Sequence, residues 1–311
     1  MNILLTGGTG FIGSHLIKRL LTEKHNISLI VRQSTDCWRI KEVTEKVHYI
    51  YSDQSSTRIT ELFSRNSFDG IIHLATVYKK SHETPSDIQS MNDSNISLPS
   101  LLLSQAVTHN VKFFINTGSL FEYARSNNPV TEHSPISPYN YYAATKLAFE
   151  NILSYYCVNY PLKALTLRLF YPYGEMDNEK IIPLVIKSII NDNPLDITKG
   201  EQQLNFTYIS DIVEAYVYSI RALTSWPEHT YEIINIGQTN TTTLKDIVSI
   251  LTRCNHKPSR INVGHKPYTP NEIMYFNTSI QKAQKLLGWT PKINIEEGLQ
   301  MMYNYYSTHK N

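Results

Sequence analysis

Met1-Asn-Ile-Leu-Leu-Thr-Gly-Gly-Thr-Gly-Phe-Ile-Gly-Ser-His15 opens the chain, and its reading decides the fold. Ile3-Leu4-Leu5 is a short apolar run that suits a buried parallel strand. Gly7, Gly8, Gly10 and Gly13 follow at once, and Phe11, Ile12, His15, Leu16, Leu20 and Leu21 then recur at helical spacing. Strand, glycine turn and helix in that order make the first half of a dinucleotide-binding βαβ unit. Gly7 is expected to allow the tight turn, Gly10 to admit a diphosphate close to the backbone, and Gly13 to let helix pack against strand. The diphosphate would rest at the positive end of the helix, where Phe11 and Ile12 stand. The competing reading is a glycine-rich turn with no ligand. Both flanks of the motif fit the cofactor reading instead.

The bulk composition narrows the class. With 311 residues, 41% apolar and 18% charged, the chain reads as globular, either one large domain or two unequal ones. A net charge of +2 gives no electrostatic footprint for nucleic acid. No apolar run approaches the ~20 residues that span a bilayer, and no basic leader or cleavage site precedes the first strand, so no membrane partner and a cytoplasmic location are expected. Cys37, Cys157 and Cys254 are odd in number and widely spaced, so they read as reduced thiols. Cys254-x-His256 is too small a cluster for a zinc site, and no metal is expected.

Residues 27–31 form the second strand of this reading, and Arg32 follows directly. An acidic residue there would hold the adenosine 2′-hydroxyl of NAD, whereas a guanidinium can pair with a 2′-phosphate. NADP(H) is therefore favoured, with NAD(H) possible if Arg32 is an ordinary surface arginine. Residues 47–51 are a third strand, and Asp53 just beyond it can reach an adenine amino group. A short helix covers 58–65. A fourth strand covers 68–75, in which Ala75 leaves room for the cofactor and His73 reads as a packed residue rather than a catalyst. A long helix over 87–110, a strand over 111–115, a helix over 141–156 and a strand over 162–169 continue the alternation. It predicts an α/β fold: a Rossmann-type doubly wound parallel sheet over 1–170 with right-handed crossovers. From 171 to 311 the pattern loosens into a smaller α/β region, read as mainly substrate-binding and free to return in part to the Rossmann sheet. The substrate is expected in the cleft between the two.

Tyr142-Ala-Ala-Thr-Lys146 brings chemistry. The i,i+4 spacing puts both side chains on one helical face. A phenol with a pKa near 10 is a poor proton donor at neutral pH, and Lys146 is placed to lower it and to hold the nicotinamide ribose. Ser119 ends the fifth strand at the same sheet edge, where it can hydrogen-bond the reacting oxygen. Alone, Tyr-x-x-x-Lys is commonly a surface pair. Joined to the glycine turn and the strand-end serine, it reads as a redox site.

With these residues in place the chain resembles the extended short-chain dehydrogenase/reductases, in the nucleotide-sugar branch of the NAD-dependent epimerase/dehydratase family. The resemblance covers nearly the whole chain. It runs through 6–13, His73-Leu74-Ala75, Asn95, Ser119 four residues before Tyr123, 137–146, Leu167-Arg-Leu-Phe-Tyr-Pro-Tyr-Gly174, Phe206-Thr-Tyr-Ile-Ser-Asp211, Asn271-Glu-Ile-Met274 and Leu287-Gly-Trp-Thr-Pro291. Residues 72–76, 200–202 and 271–274 look like the CDP-abequose synthase type of 4-ketoreductase. The resemblance implies that NADPH delivers hydride to C4 of a nucleotide-diphosphate-linked 6-deoxy-4-keto-hexose, in deoxysugar synthesis for surface polysaccharide such as O-antigen. It makes Tyr142 the proton donor, Ser119 the polariser of the carbonyl, Lys146 the tuner of Tyr142, and Asn95 the support of a water relay to Lys146. It adds Leu74 to the cofactor contacts, and Thr76, Asn95, Ser119, Leu120, Tyr171 and Tyr208 to the substrate contacts. A homodimer through 87–110 and 141–156 is implied as well.

Sibling activities can be weighed on residues. A 4,6-dehydratase needs an Asp-Glu pair after the active-site hydroxyl, and Leu120 and Phe121 cannot move protons. A 4-epimerase with retained NAD shares Ser119, Tyr142 and Lys146 and stays open. A non-catalytic NAD(P) sensor is the remote alternative, since such proteins lose the Tyr or Lys. Relatives often carry diphosphate-binding arginines where Leu204 and Thr269 stand here, so Lys187, Lys199, Arg260 and Lys266 become candidate substitutes.

Overall fold

A computed structural model describes residues 1–53, 55–79, 82–177, 180–255 and 259–309. Strands β1 (Asn2–Thr6), β2 (Asn26–Val31), β3 (Val47–Tyr51), β4 (Gly70–His73), β5 (Phe113–Ser119) and β6 (Lys163–Leu169) lie in one parallel sheet. A seventh, Thr230–Ile236, pairs with β6 on the outer edge, and the sheet runs from that strand through β6, β5, β4, β1 and β2 to β3. β4 and β5 are buried along their whole length because helices cover both faces. One core cluster lies between the sheet and helices α1 (Phe11–Thr22) and Ile209–Ser225. The other lies beneath α2 (Ser56–Arg65) and the helices that follow β4 and β5.

The chain winds outward from β1 to β3 in one direction and from β4 to the edge strand in the other. The strand order therefore reverses between β1 and β4, and a crevice opens beyond their C-terminal ends.

The region beyond 171 returns to the central sheet through Thr230–Ile236. One expectation changes in detail. The helix expected over 87–110 is α3 (Pro85–Asn92) and α4 (Leu98–Thr108) joined by one wide π-turn over Asp93–Ser97. Pro99 explains the turn. It has no N–H to give the carbonyl four residues back, which is that of Asn95, so the ladder slips by one residue there.

Beyond Tyr171, α6 (Ile181–Asn191), the helix Leu244–Asn255 and the helix Ile295–Thr308 pack around short strand pairs. Gln203–Leu204 lies between Thr242–Thr243 and Tyr275–Phe276. No described helix is long and apolar enough to cross a membrane.

Candidate active site

The glycine turn is built from backbone. Gly7 has φ +70°, and a Cβ there would lie 2.5 Å from the Ala75 nitrogen and 2.6 Å from the Leu74 carbonyl carbon. A Cβ on Gly13 would lie 2.3 Å from the Gly7 oxygen, so the helix reaches the turn only because Gly13 has none. Gly10 donates its N–H to the Gly7 oxygen at 3.1 Å and caps α1 without any side-chain bond. Its own open side meets nothing closer than that same oxygen at 3.2 Å. A tight turn, a bare helix end at Phe11 and Ile12, and a clear approach fit a dinucleotide diphosphate. Thr6 Oγ1 accepts the Ala75 N–H and meets His73 Nδ1 at 2.8 Å, locking β1 to the end of β4. His73 is fully buried and burial keeps it neutral, in keeping with a packed role. Leu74 offers backbone here, since its side chain joins the core. Arg32 leaves the end of β2 exposed. Asp53 is also exposed, but one of its carboxylate oxygens already accepts the Ser55 N–H at 2.9 Å at the start of α2, and the Ser55 hydroxyl foremost, with that N–H, holds it below the usual carboxylate range.

Ser119, Tyr142 and Lys146 come together. Helix α5 (Tyr141–Asn159) starts at Asn140, whose side chain accepts the Ala143 N–H, and this fixes the first turn that carries Tyr142. Burial foremost, and the charge of Glu122, push the Tyr142 phenol above its ordinary range, against the polar side chains of Thr76 and Ser119 nearby. The expected lowering by Lys146 is thus not the dominant effect in this structure. The ammonium sits 5.9 Å from the Tyr142 ring centroid, and the phenol keeps its proton. Lys146 is 2% exposed, and burial brings it down to about 8 against the pull of Glu122 and Glu150.

Asn95 is turned inward by the π-turn and is fully engaged. Its Oδ1 accepts from Thr76 Oγ1 and the Val77 N–H, and its Nδ2 donates to the Val77 oxygen and to Thr145 Oγ1 at 2.9 Å. Its side chain therefore clamps the 76–77 loop to α5.

On the substrate side the expected residues separate. Tyr171 has φ +30°, a strained conformation for a tyrosine, and its half-buried ring meets Phe121 and Phe206. Phe121 stacks on Tyr139 at 5.5 Å, and Tyr78 packs edge-on to Tyr142 at 5.1 Å, so the crevice has an aromatic wall. Leu120 instead packs inward with Tyr123, Val130, Phe170 and Phe276, leaving no side chain for substrate. Tyr208 is 1% exposed and donates to Glu175, again a structural position. Beside Phe121 and Tyr139 a cleft of about 560 Å³ is also lined by Arg125, Ser137, Asn140 and Asn271. Leu204 is held in a strand pair and Thr269 donates to Glu272. Of the proposed substitutes, Lys187 lies over the Tyr306 ring and Arg260 donates to the Asp192 carbonyl, both at α6. Arg125, which donates to the Asn271 carbonyl and lies over the Tyr139 ring, was not singled out by sequence.

Sequence reasoning also missed Glu122, Glu150 and Arg168, which lie under Lys146 and are each at most 2% exposed. Arg168 approaches Glu122 at 2.7 Å and Glu150 at 2.5 Å. Arg168 lies inside the quoted stretch 167–174, but nothing in the sequence pairs it with Glu122 and Glu150, since the three come from separate elements. Among the described residues no group of three or more His, Cys, Asp or Glu could hold a metal; His256 lies outside those residues.

A nucleotide cradle at the switch point, with a hydroxyl, a phenol and an amine at the adjoining strand end, defines an NAD(P)-dependent enzyme of short-chain dehydrogenase/reductase type. Residues 3–237 match the NAD dependent epimerase/dehydratase family, and the chain belongs to it. It is 31% identical to the CDP-abequose synthase of Salmonella muenchen over 96% of both chains. It is 27% identical to the dTDP-4-dehydro-6-deoxyglucose reductase of Escherichia coli, again over 96% of both. The UDP-glucuronic acid 4-epimerase of Bacillus cereus, solved with UDP-glucuronic acid and NAD, superposes with a TM-score of 0.87 at 26% identity over 99% of both chains.

Proposed function

We propose that this protein is an NADPH-dependent reductase of the C4 ketone of a nucleotide-linked 6-deoxy-4-keto-hexose, serving deoxysugar synthesis for surface polysaccharide in the cytoplasm. One observation carries the reading: Ser119 at the end of β5 and Tyr142 with Lys146 on the first turns of α5 stand together at the sheet edge that adjoins the glycine cradle. A ketone reduction needs a proton donor beside the reacting oxygen and a cation to stabilise the base that it leaves, and Tyr142 with Lys146 supplies both. Bound NADPH supplies the hydride, held by Gly7, Gly10, Phe11, Ile12, Gly13, Ala75 and Arg32. Ser119 donates to the ketone oxygen and polarises it. Tyr142 gives that oxygen its proton as the alcohol forms, and the Lys146 ammonium steadies the phenolate left behind.

The region 171–311 contributes most of the substrate side in this reading, with Thr76 and Tyr171 near the sugar. The cleft beside Tyr139 takes the nucleotide diphosphate, and Arg125 supplies the positive charge that Leu204 and Thr269 do not. A homodimer through α4 and α5 is part of the proposal, supported by Tyr155 and Val158, which α5 leaves exposed.

A second reading, a 4-epimerase with retained NAD, is favoured by the likeness to the Bacillus cereus enzyme. Arg32 at the end of β2 argues for NADP(H) and thus for net reduction. One assay separates them. Purified protein is offered CDP-, dTDP- and GDP-linked 6-deoxy-4-keto-hexoses, and NADPH oxidation is followed at 340 nm. Oxidation with at least one of them is expected. No oxidation with any, together with NAD(H) carried through purification and turnover without added cofactor, would replace the reductase by the epimerase.

A further inference from the structure

The floor beneath Lys146 is charged. One guanidinium, that of Arg168, meets the carboxyl groups of both Glu122 and Glu150. A single buried pair would be neutral, but a second carboxylate leaves one negative charge unmatched, and an unmatched buried charge costs several kcal/mol. Lys146 stands four residues before Glu150 on the same face of α5 and completes the count: two cations against two anions. Glu122 has a second attachment that Glu150 lacks. Its Oε1 accepts the Ser119 backbone N–H at 2.7 Å, while Ser119 Oγ accepts the Phe121 N–H in return. One carboxyl group thus touches the anchor of the polarising hydroxyl and the ion pair under the tuning amine.

We propose that Glu122 is a positioning residue for Ser119, Tyr142 and Lys146, fixing Ser119 through its backbone N–H and supplying the counter-charge that keeps the Lys146 ammonium protonated. The proposal rests on Tyr142 and Lys146 acting as in the reaction above. The titratable groups facing this cluster are His73 from β4, Tyr142 and Glu150 from α5, Arg168 from β6, Tyr123, and Tyr231 from the edge strand. Burial keeps His73 uncharged and raises all three phenols, so Glu122 and Glu150 are the groups able to offset Lys146. Of the two, Glu122 acts on Lys146 the more strongly. Burial and the neighbouring Glu150 also raise the proton affinity of Glu122, so protons on Glu122 and on Lys146 oppose each other.

The test is the Lys146 side-chain titration, read by 15N NMR of the full-length protein and assigned by its loss in Lys146→Met. Glu122→Gln keeps an acceptor for Ser119 and removes only the charge. It is expected to move the Lys146 titration down by about one pH unit. The alkaline fall of kcat should move with it, while KM for the ketosugar stays within about twofold. Glu122→Asp keeps the charge and should return the titration to its original position, with kcat still reduced because the shorter side chain loosens Ser119. A folded Glu122→Gln protein with an unmoved Lys146 titration overturns the proposal. If that variant does not fold, an Asp variant with unreduced kcat overturns it. Since the titration needs no substrate, inactivity of the wild type on every ketosugar would end the reductase reading while leaving this one to be decided by NMR.

Discussion

The two halves of the crevice are made in different ways. The cofactor half is backbone: Gly7 lies against Leu74 and Ala75, and Gly13 against Gly7, with no room for a Cβ at either contact. The catalytic half is side chain, a hydroxyl, a phenol and an amine set over a buried cluster of two carboxylates and a guanidinium. A backbone site is specified by what is absent, so its signature is local and rigid. A side-chain site depends on charges brought from distant strands, and its properties can be adjusted one residue at a time. Damage to the first should therefore be felt in binding and stability together, whereas loss of the phenol hydroxyl in the second should be felt mainly in rate.

The largest expected effect lies on the catalytic side. Tyr142→Phe removes the proton donor and should lower kcat by about 10²–10⁴-fold, with NADPH affinity by fluorescence titration little changed. A comparable loss of affinity would erase the contrast between the halves. Gly13→Ala tests the other side. Its methyl would press on the Gly7 carbonyl, so thermal unfolding should show a loss of about 1–3 kcal/mol, and cofactor affinity should fall in the same variant. Retained affinity at full stability would mean the cradle is looser than its contacts imply. The smallest change is sought at Arg32. Arg32→Asp leaves the glycine turn and the catalytic side chains unaltered and should shift the ratio of kcat/KM for NADPH over NADH by about tenfold or more towards NADH. An unchanged ratio would make Arg32 a surface residue and weaken the case for net reduction.

The same contrast governs what could be read from sequence. The order of strands and helices through β6 was legible because each element announces itself by apolar runs and glycine punctuation. The meeting of Ser119, Tyr142 and Lys146 was legible because strand ends of a parallel sheet share one edge. The π-turn at Asn95 was not, because it follows from the missing N–H of Pro99 four residues away, and helical periodicity barely registers one extra residue. Glu122, Glu150 and Arg168 were not, since they are 28 and 18 positions apart in sequence and meet only when the turn after β5, α5 and β6 stack. Leu120 and Tyr208 lie close to functional stretches, yet both side chains pack inward, because neighbours in sequence point to opposite sides of a strand or turn.

The edge strand has a consequence for anyone who would treat the cofactor half as a module. Thr230–Ile236 covers β6 along its full length, and Asn235 within it receives the Tyr123 hydroxyl at 2.7 Å and donates its N–H to Glu132 at 2.8 Å. A gene shortened after residue 170 would leave β6 with a bare row of backbone donors and acceptors, ready to pair with another chain. Chimeras that exchange the C-terminal region between relatives face the same constraint. Their crossover points must keep β6 and its late-arriving neighbour from one parent, so the hinge of any recombination lies after Ile236 rather than at the start of the region.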